Sequence, residues 1–144
     1  MKVILAKAHT NQLEDPDVKR ELKSIAEAVN SVHIDYNDHA INFVLIKGIY
    51  DHSERKMITA CLFVNKFGQP VQEIHGVLRL RLNNRSAQIA KSTIDFDEPF
   101  MGSLNNDEAL LVHIAIPVKG LETNETFLFS DISGSFEDVR VTTC

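Results

Sequence analysis

The feature that most constrains the fold is a strict alternation of apolar and basic residues near the middle of the chain. Leu78, Leu80 and Leu82 alternate with Arg79 and Arg81. Because successive side chains of a β-strand point to opposite faces of the sheet, this pattern predicts a strand with one buried and one solvated face. We therefore expect a β-sheet in which one face packs on a core and the other meets water.

Similar short apolar runs recur through most of the chain, and polar connections containing Gly, Pro or Asn separate them. We predict strands at Val3–Ala8, Val32–Tyr36, Ile41–Tyr50, Met57–Asn65, Ile74–Leu82, Gln88–Phe96, Leu110–Val118, Thr126–Phe129 and Phe136–Thr142. The connections after residue 41 are too short for crossover helices, so these strands should be mainly antiparallel. Seven or eight strands at this spacing are typical of a β-sandwich, and a partly open barrel is the alternative.

One segment near the N-terminus carries a strong helix signal. Asp15 suits the N-cap, Pro16 the first helical position and Asp17 the first turn. An apolar stripe at helical spacing follows, formed by Val18, Leu22, Ile25, Ala26 and Val29. The helix should end near Asn30 and cover either one sheet face or an open edge with this stripe. The edge or end of the sandwich is the preferred position, because the helix would shield strands there from edge-to-edge pairing.

The length of 144 residues fits one domain, which would bury about two thirds of its unfolded surface. We predict a single domain over residues 1–144, with residues 1–31 forming a strand plus helix and residues 32–144 forming the β-sandwich.

The net charge and the lengths of the apolar runs limit the expected classes of binding partner and the expected cellular location. The formal net charge is -5, which argues against non-specific binding to nucleic acid or to an anionic membrane, since both need clustered basic residues. No apolar stretch approaches the roughly 20 residues that span a bilayer, and the N-terminal apolar run is too short for a secretory signal. We predict a soluble, cytoplasmic protein with no nucleic-acid or membrane partner.

The densest group of possible metal ligands is formed by His33, Asp35, Asp38 and His39. Two imidazoles and a carboxylate could hold Zn²⁺ and leave one position open. His33 and Asp35 would share a strand face, however, whereas Asp38 and His39 fall in the following turn, where Asp is common for structural reasons. A structural role is the preferred interpretation, and metal binding stays as the alternative.

Other polar groups favour structural roles too. His52 lies beside Asp51 and Ser53, but neighbours in one loop do not supply the geometry of a catalytic triad, so a polar hairpin tip is expected. His75 and His113 lie at strand positions and are expected to be half-buried or cross-strand partners rather than general bases.

An acidic stretch is a candidate calcium-binding site. Asp95, Asp97 and Glu98 could combine with Asp107 and Glu108 across a loop, but they lack the glycine and the ligand spacing of an EF-hand. We expect a solvated loop.

The remaining candidates carry no clear chemistry. Cys61 lies among apolar strand residues and should be a buried thiol, with a disulfide to the terminal Cys144 as the alternative. The glycines are scattered singly, so we expect them to mark turns and bulges; they include Gly48, Gly76, Gly102, Gly120 and Gly134. We predict that the protein is not an enzyme and has no catalytic, cofactor-binding or metal-binding residue.

Three stretches carry a resemblance: Leu62–Asn65, Leu78–Leu82, and Ile116–Leu121 leading into Phe127–Phe129. Together they resemble the β-domains of Gram-positive S-layer-assembly proteins linked to the accessory Sec system and, more loosely, immunoglobulin-like modules of bacterial surface proteins. The resemblance covers roughly residues 41–129; unlike that family, this chain has no Trp and no internal repeat. It implies an immunoglobulin-like, non-catalytic β-sandwich with a role in protein export or surface-layer assembly, and it transfers no functional residue.

Two functional hypotheses follow. In the first, the protein is an interaction or assembly module that recognises another polypeptide, or a second copy of itself, through a sheet edge or strand face. Arg79 and Arg81 are then the candidate binding residues because two arginines on one face can hold an acidic or extended polypeptide, although a solubilising face is the simpler explanation. In the second, it is a small-ligand or metal-binding β-sandwich protein.

Overall fold

Residues 1–143 are described in a computed structural model, in which β-strands predominate and form two sheets. The strands are β1 (Lys2–Leu5), β2 (Ile41–Asp51), β3 (Lys56–Asn65), β4 (Val71–Leu82), β5 (Gln88–Ile89), β6 (Ser92–Phe96), β7 (Glu108–Lys119), β8 (Glu125–Leu128) and β9 (Ile132–Thr143). The helices are α1 (Pro16–Ser31) and the short α2 (Glu98–Met101), with 3₁₀ turns at Lys7–Glu14 and Phe129–Asp131.

The larger sheet has the strand order β1-β7-β3-β2-β8, and β5 also pairs with β7. The smaller sheet has the order β6-β4-β9. The pairs are antiparallel except for β1 with β7, which is parallel. The prediction of mainly antiparallel strands is therefore confirmed.

The two sheets pack face to face around one apolar core. Phe63 of the larger sheet meets Phe96 and Phe136 of the smaller one, with ring centroids 5.3 Å apart in each pair. The alternation in β4 gives the predicted result, because its leucines at 78, 80 and 82 are buried in this core whereas Arg79 and Arg81 are exposed.

Helix α1 begins as the sequence indicates. The Asp15 carboxylate accepts a hydrogen bond from the Asp17 N–H at 2.8 Å, and Pro16 takes the first position. The helix packs on the outer face of the larger sheet, so the alternative of a covered sheet face is confirmed and the preferred position at an edge or end was wrong. The reason is that β3 and β7 carry apolar residues on both faces and need cover on both. The resulting second cluster contains Leu5, Ile25, Val29, Ala60, Leu62, Val64, Ala109 and Leu111.

Several predicted elements differ from the observed ones. The segment predicted as a strand at Val32–Tyr36 forms no strand, and the side chain of Asn42 bonds the N–H and C=O of Asn37 instead. The predicted strand Gln88–Phe96 is divided into β5 and β6, which join different sheets. The last strand begins at Ile132, ahead of the predicted start. Within residues 1–143, no helix has both the length and the apolar character required to cross a bilayer.

Candidate interaction site

The described contacts in the segment from His33 to His39 are structural. His33 Nε2 lies 2.7 Å from Asp35 Oδ1, and both side chains are exposed. His39 adopts a left-handed conformation (φ 57°) and donates its N–H to the Lys66 carbonyl at 2.9 Å, which guides the chain into β2. No group of three or more His, Cys, Asp or Glu side chains in the described part of the chain is placed to hold a metal ion.

The turn between β2 and β3 is held by Asp51. Its carboxylate accepts the Ser53 N–H at 3.0 Å and the Ser53 hydroxyl at 2.7 Å, and the hydroxyl bond is the main cause that lowers the Asp51 pKa. The His52 side chain contacts Tyr50 instead, and its Nδ1 lies 3.2 Å from the phenol oxygen of Tyr50. Since Ser53 bonds a carboxylate rather than the imidazole, this loop does not have the arrangement of a Ser–His pair.

The acidic residues considered for calcium do not converge. Asp95 bonds His75, Asp97 caps α2, Glu98 pairs with Lys7, Asp107 pairs with Lys66, and Glu108 accepts the Asn105 N–H. Each carboxylate therefore has its own partner at a different place, and the pattern is that of caps and surface ion pairs.

His75 of β4 bridges two carboxylates. Its Nδ1 lies 2.9 Å from Asp95 of β6, and its Nε2 lies 3.0 Å from Glu73. The hydrogen bonds that Glu73 and Asp95 accept from the ring raise the His75 pKa because both favour the charged ring. The two carboxylates contact opposite nitrogens of the ring, so the three groups do not surround a common point as metal ligands would. His113 of β7 pairs in turn with Glu21 of α1 at 3.0 Å and ties the helix to the sheet.

Cys61 is a buried thiol, as predicted. Its sulfur donates to the Thr59 hydroxyl at 3.3 Å, and burial raises its pKa to about 12. The thiol is therefore protonated at neutral pH and unreactive. The alternative disulfide partner, Cys144, lies outside the described residues.

The strongest candidate for a binding site is the free edge of β9. Within residues 1–143 this twelve-residue strand pairs with β4 alone. Just before it, Asn83 donates its N–H to the Asp131 carbonyl at 2.8 Å, which fixes the phase of the antiparallel ladder. Because hydrogen-bonded and non-bonded pairs alternate, Ser133 and Ser135 bond β4, whereas the main-chain groups of Gly134 and Phe136 point away from it.

Gly134 lies where the core side chains of Leu80 and Phe43 approach the edge closely. A Cβ atom there would lie 2.6 Å from Leu80 Cδ2 and 3.2 Å from Phe43 Cε1, so a side chain does not fit without a shift. The expectation that Gly134 marks a turn or bulge was wrong, since it lies within β9 in regular register. The bulge falls further along, at Asp138 (φ 53°), where the pairing with β4 shifts.

A shallow groove runs along the outer face beside this edge. Arg79, Arg81, Ser133 and Ser135 line it, with Leu80 and Gly134 as the other lining residues. Arg79 Nε lies 3.4 Å from Glu137 Oε1, and the Ser135 hydroxyl donates to Glu137 Oε2 at 2.7 Å. In the part of the chain that the structure describes, no carboxylate pairs with Arg81, so the groove keeps an uncompensated positive charge.

A second groove opens on the other side of the same edge. Gly134 and Phe136 line it together with residues 34–37 and 41–44. Its apolar wall includes Ile34 and Phe43, and its polar wall includes Asp35 and Asn37. The segment predicted as a strand at 32–36 is thus one wall of a groove that faces the edge of β9.

Sequence reasoning named Arg79 and Arg81 as candidate binding residues, with a solubilising face as the preferred interpretation, and did not locate the edge beside them. Ser133, Gly134 and Ser135 resemble a turn in composition, and the signal that could have found them was their continuity with the alternating residues that follow.

Family models, curated proteins and solved structures gave no match to this chain. The family resemblance therefore stays a prediction, and the candidate site depends on its own geometry.

Proposed function

We propose that this protein is a non-catalytic interaction module that recognises an extended polypeptide by adding it as a strand to the edge of β9. The observation that carries the proposal is the outward direction of the main-chain groups of Gly134 and Phe136, between two grooves. In this mode of recognition, backbone hydrogen bonds supply affinity and pockets for alternate side chains supply specificity.

The length of the edge supports recognition of one short segment. Regular pairing with β4 extends from Ile132 to Glu137, and the bulge at Asp138 then bends the strand. Bulges at sheet edges limit uncontrolled pairing between chains, because they interrupt the straight row of donors and acceptors. The edge therefore offers a template of about six residues rather than an open surface for aggregation.

The wider role is proposed from the predicted resemblance of residues 41–129 to surface-layer-assembly domains. Under this proposal the protein is an immunoglobulin-like β-sandwich that handles other polypeptides during export or surface-layer assembly. The packing of two mainly antiparallel sheets around one core supports this placement at the level of architecture.

The test is site-specific photo-crosslinking in cells of the source organism. A benzoylphenylalanine at Ser135 lies beside the free edge, and the same group at Glu54, an exposed residue of the β2–β3 turn, is the matched control. We expect a discrete protein adduct from position 135 and none from position 54. Equal labelling at both positions, or no adduct at position 135, would contradict the proposal.

A further inference from the structure

We propose that the strand received by β9 carries carboxylates at alternate positions, facing Arg79 and Arg81, and apolar side chains at the positions between. This inference rests on the proposed function, since it names the chemistry of the partner at the same edge. The occupant is an extended acidic segment of another protein.

The spacing of the two arginines fits such a segment. Arg79 and Arg81 lie two residues apart on β4 and point to the same outer face. Residues two apart on a strand are separated by about 6.6 Å, which is also the spacing of alternate residues on an added strand. A carboxylate at every second position would therefore meet successive guanidinium groups, whose planar donors suit carboxylates.

The short side chains between the arginines and the edge leave the approach to Arg81 open. Ser133 and Ser135 are the direct partners of Arg81 and Arg79 on β9, and both have short side chains. Glu137 already pairs with Arg79, so the receiving charge is centred on Arg81. Within residues 1–143, Arg81 has no carboxylate partner and can bind an incoming carboxylate directly, whereas Arg79 would have to release Glu137 first.

The other face of an added strand would meet different chemistry. Its side chains would point towards the second groove, where Ile34, Phe43 and Phe136 are half-buried apolar residues. Apolar residues at the intervening positions would cover these side chains and remove their surface from water. The two grooves together specify an alternating acidic and apolar sequence.

The first experiment compares two synthetic peptides on the full chain. One is acetyl-Val-Asp-Val-Asp-Val-Asp-Val-amide, and its match has Lys at each Asp position. Binding is followed by NMR titration and by hydrogen exchange of the β9 amides. We expect the acidic peptide to bind about tenfold more tightly than the lysine peptide, and to slow exchange at Gly134 and Phe136, whose amides are free of β4.

The second experiment changes the receiving charge. Arg81→Glu should weaken binding of the acidic peptide by about tenfold and strengthen binding of the lysine peptide. Lys91→Glu makes the same change in net charge at an exposed residue next to β6, at the opposite edge of the smaller sheet, and should leave both affinities unchanged. A matching loss in both variants would show a general charge effect and overturn the proposal.

The outcomes separate this inference from the proposed function. If both peptides bind equally and both slow exchange at Gly134 and Phe136, the acidic preference is overturned while strand addition at β9 stands. If neither peptide slows exchange at these two amides, the acidic segment is again overturned, and the crosslink from position 135 decides strand addition independently.

Discussion

The outer faces of the two sheets differ in the residues that they present and in what covers them. The outer face of the larger sheet carries Ala60, Leu62 and Leu111 beneath α1, and all three are buried. The outer face of the smaller sheet carries Arg79 and Arg81, which are exposed. A sheet with two apolar faces requires a further layer, whereas a sheet with one charged face leaves that face and its edge accessible.

Helix α1 covers only part of the outer face of the larger sheet. Covered and uncovered positions can therefore be compared on one and the same face. Ile49 and Ile58 are register partners on the same outer face, and they are 44% and 42% exposed. Leu62 lies on the same strand and the same face as Ile58 but is fully buried. The two positions thus differ mainly in the presence of the helix.

Leu62→Ala changes the region beneath α1 and should have the largest effect on the free energy of unfolding. Removing a fully buried leucine side chain leaves a cavity between α1 and the sheet, so the free energy of unfolding should fall by about 2–5 kcal/mol. Ile58→Ala is the matched variant and should cost less than about 1 kcal/mol, because much of that side chain is already in water. Urea unfolding of both variants checks this, and equal losses would show that α1 does not shield Leu62.

Gly134→Ala tests the close packing beneath the open edge. The new methyl group would meet Leu80 Cδ2 at 2.6 Å, so the core must shift. Overpacking of this kind should reduce the free energy of unfolding by about 1–3 kcal/mol. Ser135→Ala is the control on the same strand, with its side chain on the solvated face, and should change stability by less than about 0.5 kcal/mol. A neutral Gly134→Ala variant would mean that the side chains of Leu80 and Phe43 move aside at little cost.

The sequence predicted local elements better than their arrangement. The alternation at residues 78–82 reported burial correctly because side-chain direction in a strand depends only on the local backbone. The position of α1 depended on the apolar residues of β3 and β7 together, which are far apart in sequence. Such long-range packing does not appear in the periodicity of any one segment.

The candidate site was predicted only in part for a related reason. Arg79 and Arg81 were named as candidate binding residues from their spacing on one strand, although a solubilising face was the preferred interpretation. The free edge beside them depends on which strand ends the sheet, and strand order is a property of the whole topology. Gly134 was misassigned because the sequence alone does not distinguish a glycine in a turn from a glycine in an extended strand. The close approach of Leu80 to Gly134 is visible only in the three-dimensional structure.

The smallest expected effect concerns His75, on the charged face of the smaller sheet. Hydrogen bonds to Glu73 and then to Asp95 raise its pKa above the ordinary value of 6.5. A raised pKa in the folded state means that the stabilisation is complete below pH 6.5 and is lost as the pH rises through the folded-state pKa. Because these groups are partly exposed, the change should be below about 1 kcal/mol. Urea unfolding at pH 5.5 and pH 8.5 should show this loss in the parent protein and a smaller one in His75→Gln. Equal pH dependence in the two proteins would mean that this imidazole bridge adds nothing to the charged face, and that the ladder between β4 and β6 holds without it.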